Sequence, residues 1–152
     1  MRKTDPARAV RVTKRFTFEM AHALTGHDGL CAGLHGHSYV LDVTLAGIPR
    51  NMAGHPKDGM VMDFAELKHI VKRTVLDRYD HVLVLHENER GNTFPDTALF
   101  GRTVFVPWQP TCENLLLDIV ESLRSTLPDA VALHAVRLQE TATCWAEWEY
   151  GL

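Results

Sequence analysis

Two stretches of alternating polarity constrain this chain more than any other feature. From Val10 to His22 the side chains of Val10, Val12, Phe16, Phe18 and Met20 share one parity, broken only by Lys14, while Arg11, Thr13, Arg15, Thr17 and Glu19 take the other. A period of two marks a half-buried strand, and its apolar face ends in His22. The pattern resumes with His35, His37, Tyr39, Leu41, Val43 and Leu45 on one parity and Ser38, Asp42 and Thr44 on the other. Paired antiparallel across the Gly- and His-containing loop 24–34, these strands bring His22, His35 and His37 together at one end and on one face of a sheet.

Gly47, Pro49, Asn51 and Gly54 then mark a loop. Gly59-Met60-Val61-Met62-Asp63 reads as a short strand entering a helix, with Asp63 as N-cap and Glu66 completing a variant capping box. Phe64, Leu67, Ile70, Val71 and Val75 fall on one face of that helix. A second helix begins after its N-cap Thr111, carries Leu116, Ile119, Val120, Leu123 and Leu127 at helical spacing, and stops at Pro128. Two more strands are expected over Val131–Glu140 and Cys144–Tyr150. Segment 86–109 reads as an inserted long loop holding one short strand, Thr103-Val104-Phe105-Val106. The order predicts an α+β fold, a four-stranded antiparallel sheet with two helices packed on one face. Such a sheet has exposed edges, which oligomerisation would hide.

A chain of 152 residues with 45% hydrophobic content fits a single domain, 1–152, with residues 1–9 as a flexible arm. The formal charge of -3 excludes a general nucleic-acid binder, whose footprint is a concentrated basic excess. The basic run Arg2, Lys3, Arg8, Arg11, Lys14 and Arg15 is read as a solvated arm and strand face. No stretch is apolar enough for a membrane span or signal segment. Three cysteines without a regular framework point to a reducing, cytoplasmic compartment, with Cys112 and Cys144 as inert small hydrophobes.

Zinc accepts neutral imidazole nitrogen, and catalytic sites use three protein ligands with a fourth position open. His22, His35 and His37 meet that requirement, and Gly36 between the latter two permits close approach of backbone or ligand. Cys31 has two readings. As a fourth ligand it closes a structural zinc site; beside an open site it is a thiol in an electropositive neighbourhood, usable as base or nucleophile. The spacing does not choose between them.

Asp80-His81 could complete acid/base chemistry, since an aspartate that orients a histidine sets its tautomer and basicity; equally, such a pair at a helix end complements the helix dipole. Glu140, ending an apolar strand, is either a carboxylate able to clamp an amidine-like heterocycle edge or a solvated strand end. His27, His55, His69, His86 and His134 show no comparable clustering, and Trp108, Trp145 and Trp148 read as packing or interface residues.

Six motifs occur in one order: Phe16-Thr17-Phe18-Glu19-x-Ala21-His22; Cys31-x3-His35-Gly36-His37; Gly59 to Lys68; Asp80-His81; Pro110-Thr111-x-Glu113-Asn114; and Gln139-Glu140-Thr141. Together they resemble the family of 6-pyruvoyl-tetrahydropterin synthase and its bacterial relative, 6-carboxy-tetrahydropterin synthase. The resemblance implies a tunnelling fold, in which sheets of several subunits join into a barrel as a trimer or a hexamer of two trimers, with active sites between subunits. It implies zinc on His22, His35 and His37, Cys31 as proton acceptor, Asp80 and His81 as its relay, Glu140 as pterin anchor and proton-transfer partner, and Thr111 as a further pterin contact.

The implied substrate is 7,8-dihydroneopterin triphosphate, a small molecule, with no nucleic acid or membrane partner. The three-residue gap between Cys31 and His35 resembles the bacterial enzyme of queuosine precursor synthesis, which gives 6-carboxy-5,6,7,8-tetrahydropterin, acetaldehyde and triphosphate. The alternatives are a pyruvoyl-type or related pterin activity, and a non-enzymatic module with a closed Cys/His zinc site. One departure from the family pattern is the segment after Asp80-His81, where Val82-Leu83-Val84-Leu85 leads into 86–109.

Overall fold

The computed structural model describes residues 8–92 and 94–151; residues 1–7 of the expected arm lie outside them. Strand β1 (Val10–His22) and strand β2 (His35–Gly47) form a long antiparallel hairpin whose register runs from Val10 opposite Gly47 to His22 opposite His35. The alternation behaves as expected: Phe16, Phe18, Met20, Tyr39, Leu41, Val43 and Leu45 are all buried on one face. Strand β3 (Val82–His86) adds parallel to β1, and strand β4 (Thr103–Val106) parallel to β3. On the other side β5 (Ala132–Gln139) pairs antiparallel with β2, and β6 (Trp145–Glu149) antiparallel with β5.

The sheet therefore has six strands in the order β4-β3-β1-β2-β5-β6. The expected four-stranded antiparallel sheet is present as β1, β2, β5 and β6, but β3 and β4 extend it in parallel, so the whole is mixed. Val82-Leu83-Val84-Leu85 has no alternation to announce a strand because all four side chains are buried, as in strands covered on both faces. Thr103–Val106 is the strand expected there; the rest of 86–109 contains short 3-10 turns at Glu87–Gly91 and Ala98–Phe100.

Helix α1 (Phe64–Val71) starts as expected at Asp63, whose carboxylate accepts the Ala65 N–H at 2.8 Å. It continues through a π-helical turn at Lys72–Leu76 into a last α turn at Asp77–Tyr79. Two local expectations change. Gly59–Asp63 is not a strand; it is an irregular approach that buries Val61 and Met62 against the core. Phe64 does not face inward but stays 47% exposed, with the Lys14 ammonium 5.8 Å from its ring centre.

Helix α2 (Cys112–Arg124) is capped by Thr111, whose hydroxyl accepts the Asn114 N–H at 3.2 Å. Leu67, Ile70, Val71 and Val75 of the first helical run and Leu115, Leu116, Ile119, Val120 and Leu123 of α2 join the sheet's apolar face in one core cluster. Full burial of such side chains stabilises by about 1.5–3 kcal/mol each before entropy is charged against it. Tyr79 ties the helices together by donating its hydroxyl hydrogen to Asp118 at 2.6 Å. No helix among the described residues is long and apolar enough to cross a membrane.

Candidate active site

The hairpin register decides the first feature of the site. Because His22 sits opposite His35 and Met20 opposite His37, the three imidazoles emerge side by side at one end of the β1–β2 pair. Their ligating nitrogens lie within 4.8 Å of one another, and Cys31 is outside this group. His22 Nδ1 is 2.7 Å from the Pro110 carbonyl oxygen, and His35 Nδ1 is 2.7 Å from the Gly33 carbonyl oxygen. A carbonyl can only accept, so each Nδ1 carries the proton and each neutral ring presents a lone pair at Nε2. Those two Nε2 atoms face each other at 3.1 Å. Opposed lone pairs at that distance repel unless a cation sits beside both.

His37 adds a third unsatisfied nitrogen: its Nε2 is buried and has no hydrogen-bond partner. Tetrahedral ligands at 2.0–2.1 Å from zinc lie roughly 3.3–3.4 Å apart, close to the His22–His35 separation. Burial pushes the His22 pKa down against the opposing pull of the Pro110 carbonyl and Glu140, which favours the neutral, ligating form. The donor set thus fits a metal ion, with two ligands oriented by backbone carbonyls in the manner of outer-shell partners.

Glu140 follows β5 and turns back toward the triad. Its Oε1 lies 3.7 Å from His22 Nε2 and 3.8 Å from His37 Nε2, and it accepts the Tyr39 hydroxyl hydrogen at 3.0 Å. Burial, reinforced by Glu140, raises the Tyr39 pKa and keeps that phenol a donor. Cys31 lies in a short 3-10 turn, Leu30–Ala32, in the loop joining the two histidine-bearing strands, and is partly exposed. Its carbonyl accepts the Leu24 N–H at 2.9 Å, which closes the loop on itself.

Asp80-His81 reaches the sheet from the end of the α1 run. Asp80 Oδ1 accepts the Glu19 N–H at 2.9 Å, His81 N donates to the Glu19 carbonyl at 2.7 Å, and His81 Nδ1 lies 2.9 Å from Asp80 Oδ1. Burial raises the Asp80 pKa, but the Glu19 N–H and the His81 ring outweigh it and hold the carboxyl below its ordinary value. His81 adopts φ 57°, an uncommon conformation for a non-glycine residue. Its ring lines a cavity of about 680 Å³ with Glu19, Ser38, Leu99 and Arg102, and His37 reaches the same cavity. Asp80 and His81 meet β1 through the Glu19 backbone N–H and carbonyl, at the edge where β3 joins it, and His81 shares its cavity with His37 as well as with Glu19 and Ser38. Thr111 is the α2 cap, one residue beyond the carbonyl that orients His22.

The model of the family described as 6-pyruvoyl tetrahydropterin synthase matches residues 11–150. This chain belongs to that family. Among curated relatives in the 6-pyruvoyl tetrahydropterin synthase family, the 6-carboxy-5,6,7,8-tetrahydropterin synthase of Haemophilus influenzae is 36% identical, over 91% of this chain and 98% of its own length. A protein of the same name from Rickettsia bellii is 30% identical over 91% of this chain and 99% of its own. The 6-pyruvoyl tetrahydrobiopterin synthase of Dictyostelium discoideum is 31% identical over 89% and 92%.

Solved structures agree on the fold. The Caenorhabditis elegans 6-pyruvoyl tetrahydropterin synthase superposes with a TM-score of 0.65 at 26% identity, covering 93% of this chain and 95% of its own. An uncharacterised Wolinella succinogenes protein gives 0.76 at 22%, covering 93% and 98%, a likeness of fold alone. The 6-pyruvoyl tetrahydropterin synthase motifs gather unevenly here: the histidines and Glu140 converge, while Asp80-His81 reaches only the cavity that His37 shares. Sequence reasoning missed Pro110, Gly33 and Tyr39. The two carbonyls have no side-chain signature; Tyr39, sharing the parity of His35 and His37, was open to notice.

Proposed function

We propose that this chain is a zinc-dependent lyase acting on 7,8-dihydroneopterin triphosphate to give 6-carboxy-5,6,7,8-tetrahydropterin, acetaldehyde and triphosphate, for queuosine precursor synthesis. The observation that carries the metal chemistry is the pair of Nε2 lone pairs held face to face by the Pro110 and Gly33 carbonyls, beside the unpartnered Nε2 of His37. The carboxy product is supported by the printed names of the Haemophilus and Rickettsia relatives and by the short Cys31–His35 gap.

His22, His35 and His37 would hold the zinc. When bound, the ion supplies Lewis acidity to the substrate's side-chain oxygens, which makes the neighbouring C–H groups acidic. Cys31, on the loop bordering the triad, is the proton acceptor. Asp80 fixes the His81 ring through its Nδ1 contact and lets that ring take up and return the proton. Glu140 anchors the pterin by accepting N–H groups from its amidine-like edge and assists proton transfer; Thr111 adds a contact near the same end of β5. The Asp80-His81 pair serves the Cys31 of a neighbouring subunit, and the open edges of β4 and β6 are the surfaces through which subunits join into a trimer or hexamer.

The 31% identity to the Dictyostelium protein favours a second reading, a pyruvoyl-type activity in which the side chain is retained. Incubating the zinc-loaded protein with dihydroneopterin triphosphate separates the two. Acetaldehyde with the carboxy-pterin supports the first, an intact three-carbon side chain the second, and no turnover at full metal occupancy sinks both.

A further inference from the structure

The Cys31 loop and the metal ligand His22 are joined by one tripeptide, Gln109-Pro110-Thr111, far from either in sequence. The Gln109 side-chain amide treats the backbone of Thr25 as a strand partner would: Oε1 accepts the Thr25 N–H at 3.1 Å and Nε2 donates to the Thr25 carbonyl at 2.6 Å. Next to it, Leu24 N–H donates to the Cys31 carbonyl, so the grip falls at the neck of the loop that carries the thiol. The Thr25 hydroxyl also donates to Glu89 at 2.7 Å, adding a second tie at the same residue.

Gln109 is itself held firmly. Its backbone carbonyl accepts the Asn114 side-chain amide at 3.0 Å and the Thr111 N–H at 2.8 Å, which fastens it to the first turn of α2. The next carbonyl, that of Pro110, receives the His22 Nδ1 hydrogen. One short segment anchored on a helix therefore sets both the orientation of a triad imidazole and the seat of the Cys31 loop.

We propose that Gln109 is a positioning residue that holds the Cys31 loop in place relative to the histidine triad. Loss of the amide leaves His22 oriented, because the Pro110 carbonyl and the α2 cap remain, but lets the thiol wander. The catalytic consequence rests on the function proposed above; the positional one does not.

The test uses full-length, zinc-loaded protein in a Cys112→Ser, Cys144→Ser background, so that Cys31 is the sole thiol. Gln109→Ala should raise the rate of iodoacetamide labelling of Cys31 and the hydrogen exchange of the Thr25 amide by roughly tenfold, the scale set by losing two neutral hydrogen bonds, while zinc stoichiometry is unchanged. Gln109→Glu sets a carboxylate oxygen against the Thr25 carbonyl and close to Glu89, and should raise both rates at least as far as Gln109→Ala. If Gln109→Ala does not fold, Gln109→Glu alone decides through Thr25 exchange. On dihydroneopterin triphosphate, kcat should fall with KM nearly constant.

Wild-type labelling and exchange in a folded, zinc-binding variant would overturn the proposal, as would an effect confined to KM. Absence of turnover in the parent protein defeats the proposed function but leaves the labelling and exchange results to judge Gln109.

Discussion

Three thiols occupy three environments. Cys112 is partly buried, donates to the Leu138 carbonyl at 3.4 Å, and has its pKa pushed up to about 11 by burial and by Glu140. Cys144 is exposed, contrary to the expectation of an inert buried residue, because the turn after β5 carries it outward. At pH 8 the thiolate fraction of Cys112 should be on the order of a hundredfold below that of an ordinary cysteine. Timed alkylation read by mass spectrometry should label Cys144 early and Cys112 last; equal rates would contradict this placement. Sequence could pair neither thiol with its environment, since Cys112 opens a helix and Cys144 follows a turn, positions compatible with either burial state.

At the scale of elements, Arg15 and Asp42 face each other across the hairpin in a two-point contact, Nε to Oδ1 at 2.7 Å and Nη2 to Oδ2 at 2.8 Å. The hydrogen bond from Arg15 holds the Asp42 carboxyl below its ordinary value against the upward push of burial. A lowered folded-state pKa means stability that is present above the unfolded value, near pH 4, and lost as pH falls through the folded one. Asp42→Asn should therefore cost about 1 kcal/mol at pH 7, a figure kept small because Arg15 is largely solvated, and almost nothing in strong acid. Urea unfolding at both pH values checks it; a penalty undiminished in acid would assign the loss to something other than charge.

Thr111→Ala should remove the α2 cap at a cost of about 1 kcal/mol, lowering Tm by about 2–4 °C. Caps and the alternating hairpin were legible because a single residue type or period reports them. The β3 strand was not, since an unbroken apolar run can belong to several elements. Gly59–Asp63 shows the reverse error: its glycine-bounded apolar pair resembles a strand yet serves only to plug the core.

For the whole molecule, the decisive relation is between the end of the hairpin and the strand that joins its edge. The histidine triad and Glu140 gather at one end of β1 and β2, whereas Asp80-His81 binds the Glu19 backbone at the edge where β3 joins β1. Convergence of the three histidines followed from parity alone. The placement of Asp80-His81 did not, because it depends on β3 entering parallel beside β1, a long-range pairing without a local signature. If the relay acts across subunits, mixing inactive Cys31→Ser and His81→Ala proteins after dissociation and reassembly should restore part of the activity, because some interfaces then combine two intact halves. Assay of the remixed material is the check; no recovery despite confirmed mixed oligomers would place both residues in one subunit's site.

The His22–His35 register also bears on how such a protein changes over generations. A shift of one position in β1 against β2 would send His22 to the opposite face, so pairing and ligand set are inherited together or lost together. The connecting loop is freer only between Thr25, which Gln109 holds, and Gly33, whose carbonyl orients His35: residues gained or lost there leave the hairpin pairing in place. Cys31 rides on that tolerant segment. A lineage can therefore retune the reach of its thiol by altering the length of that inner segment while the histidine frame keeps its register.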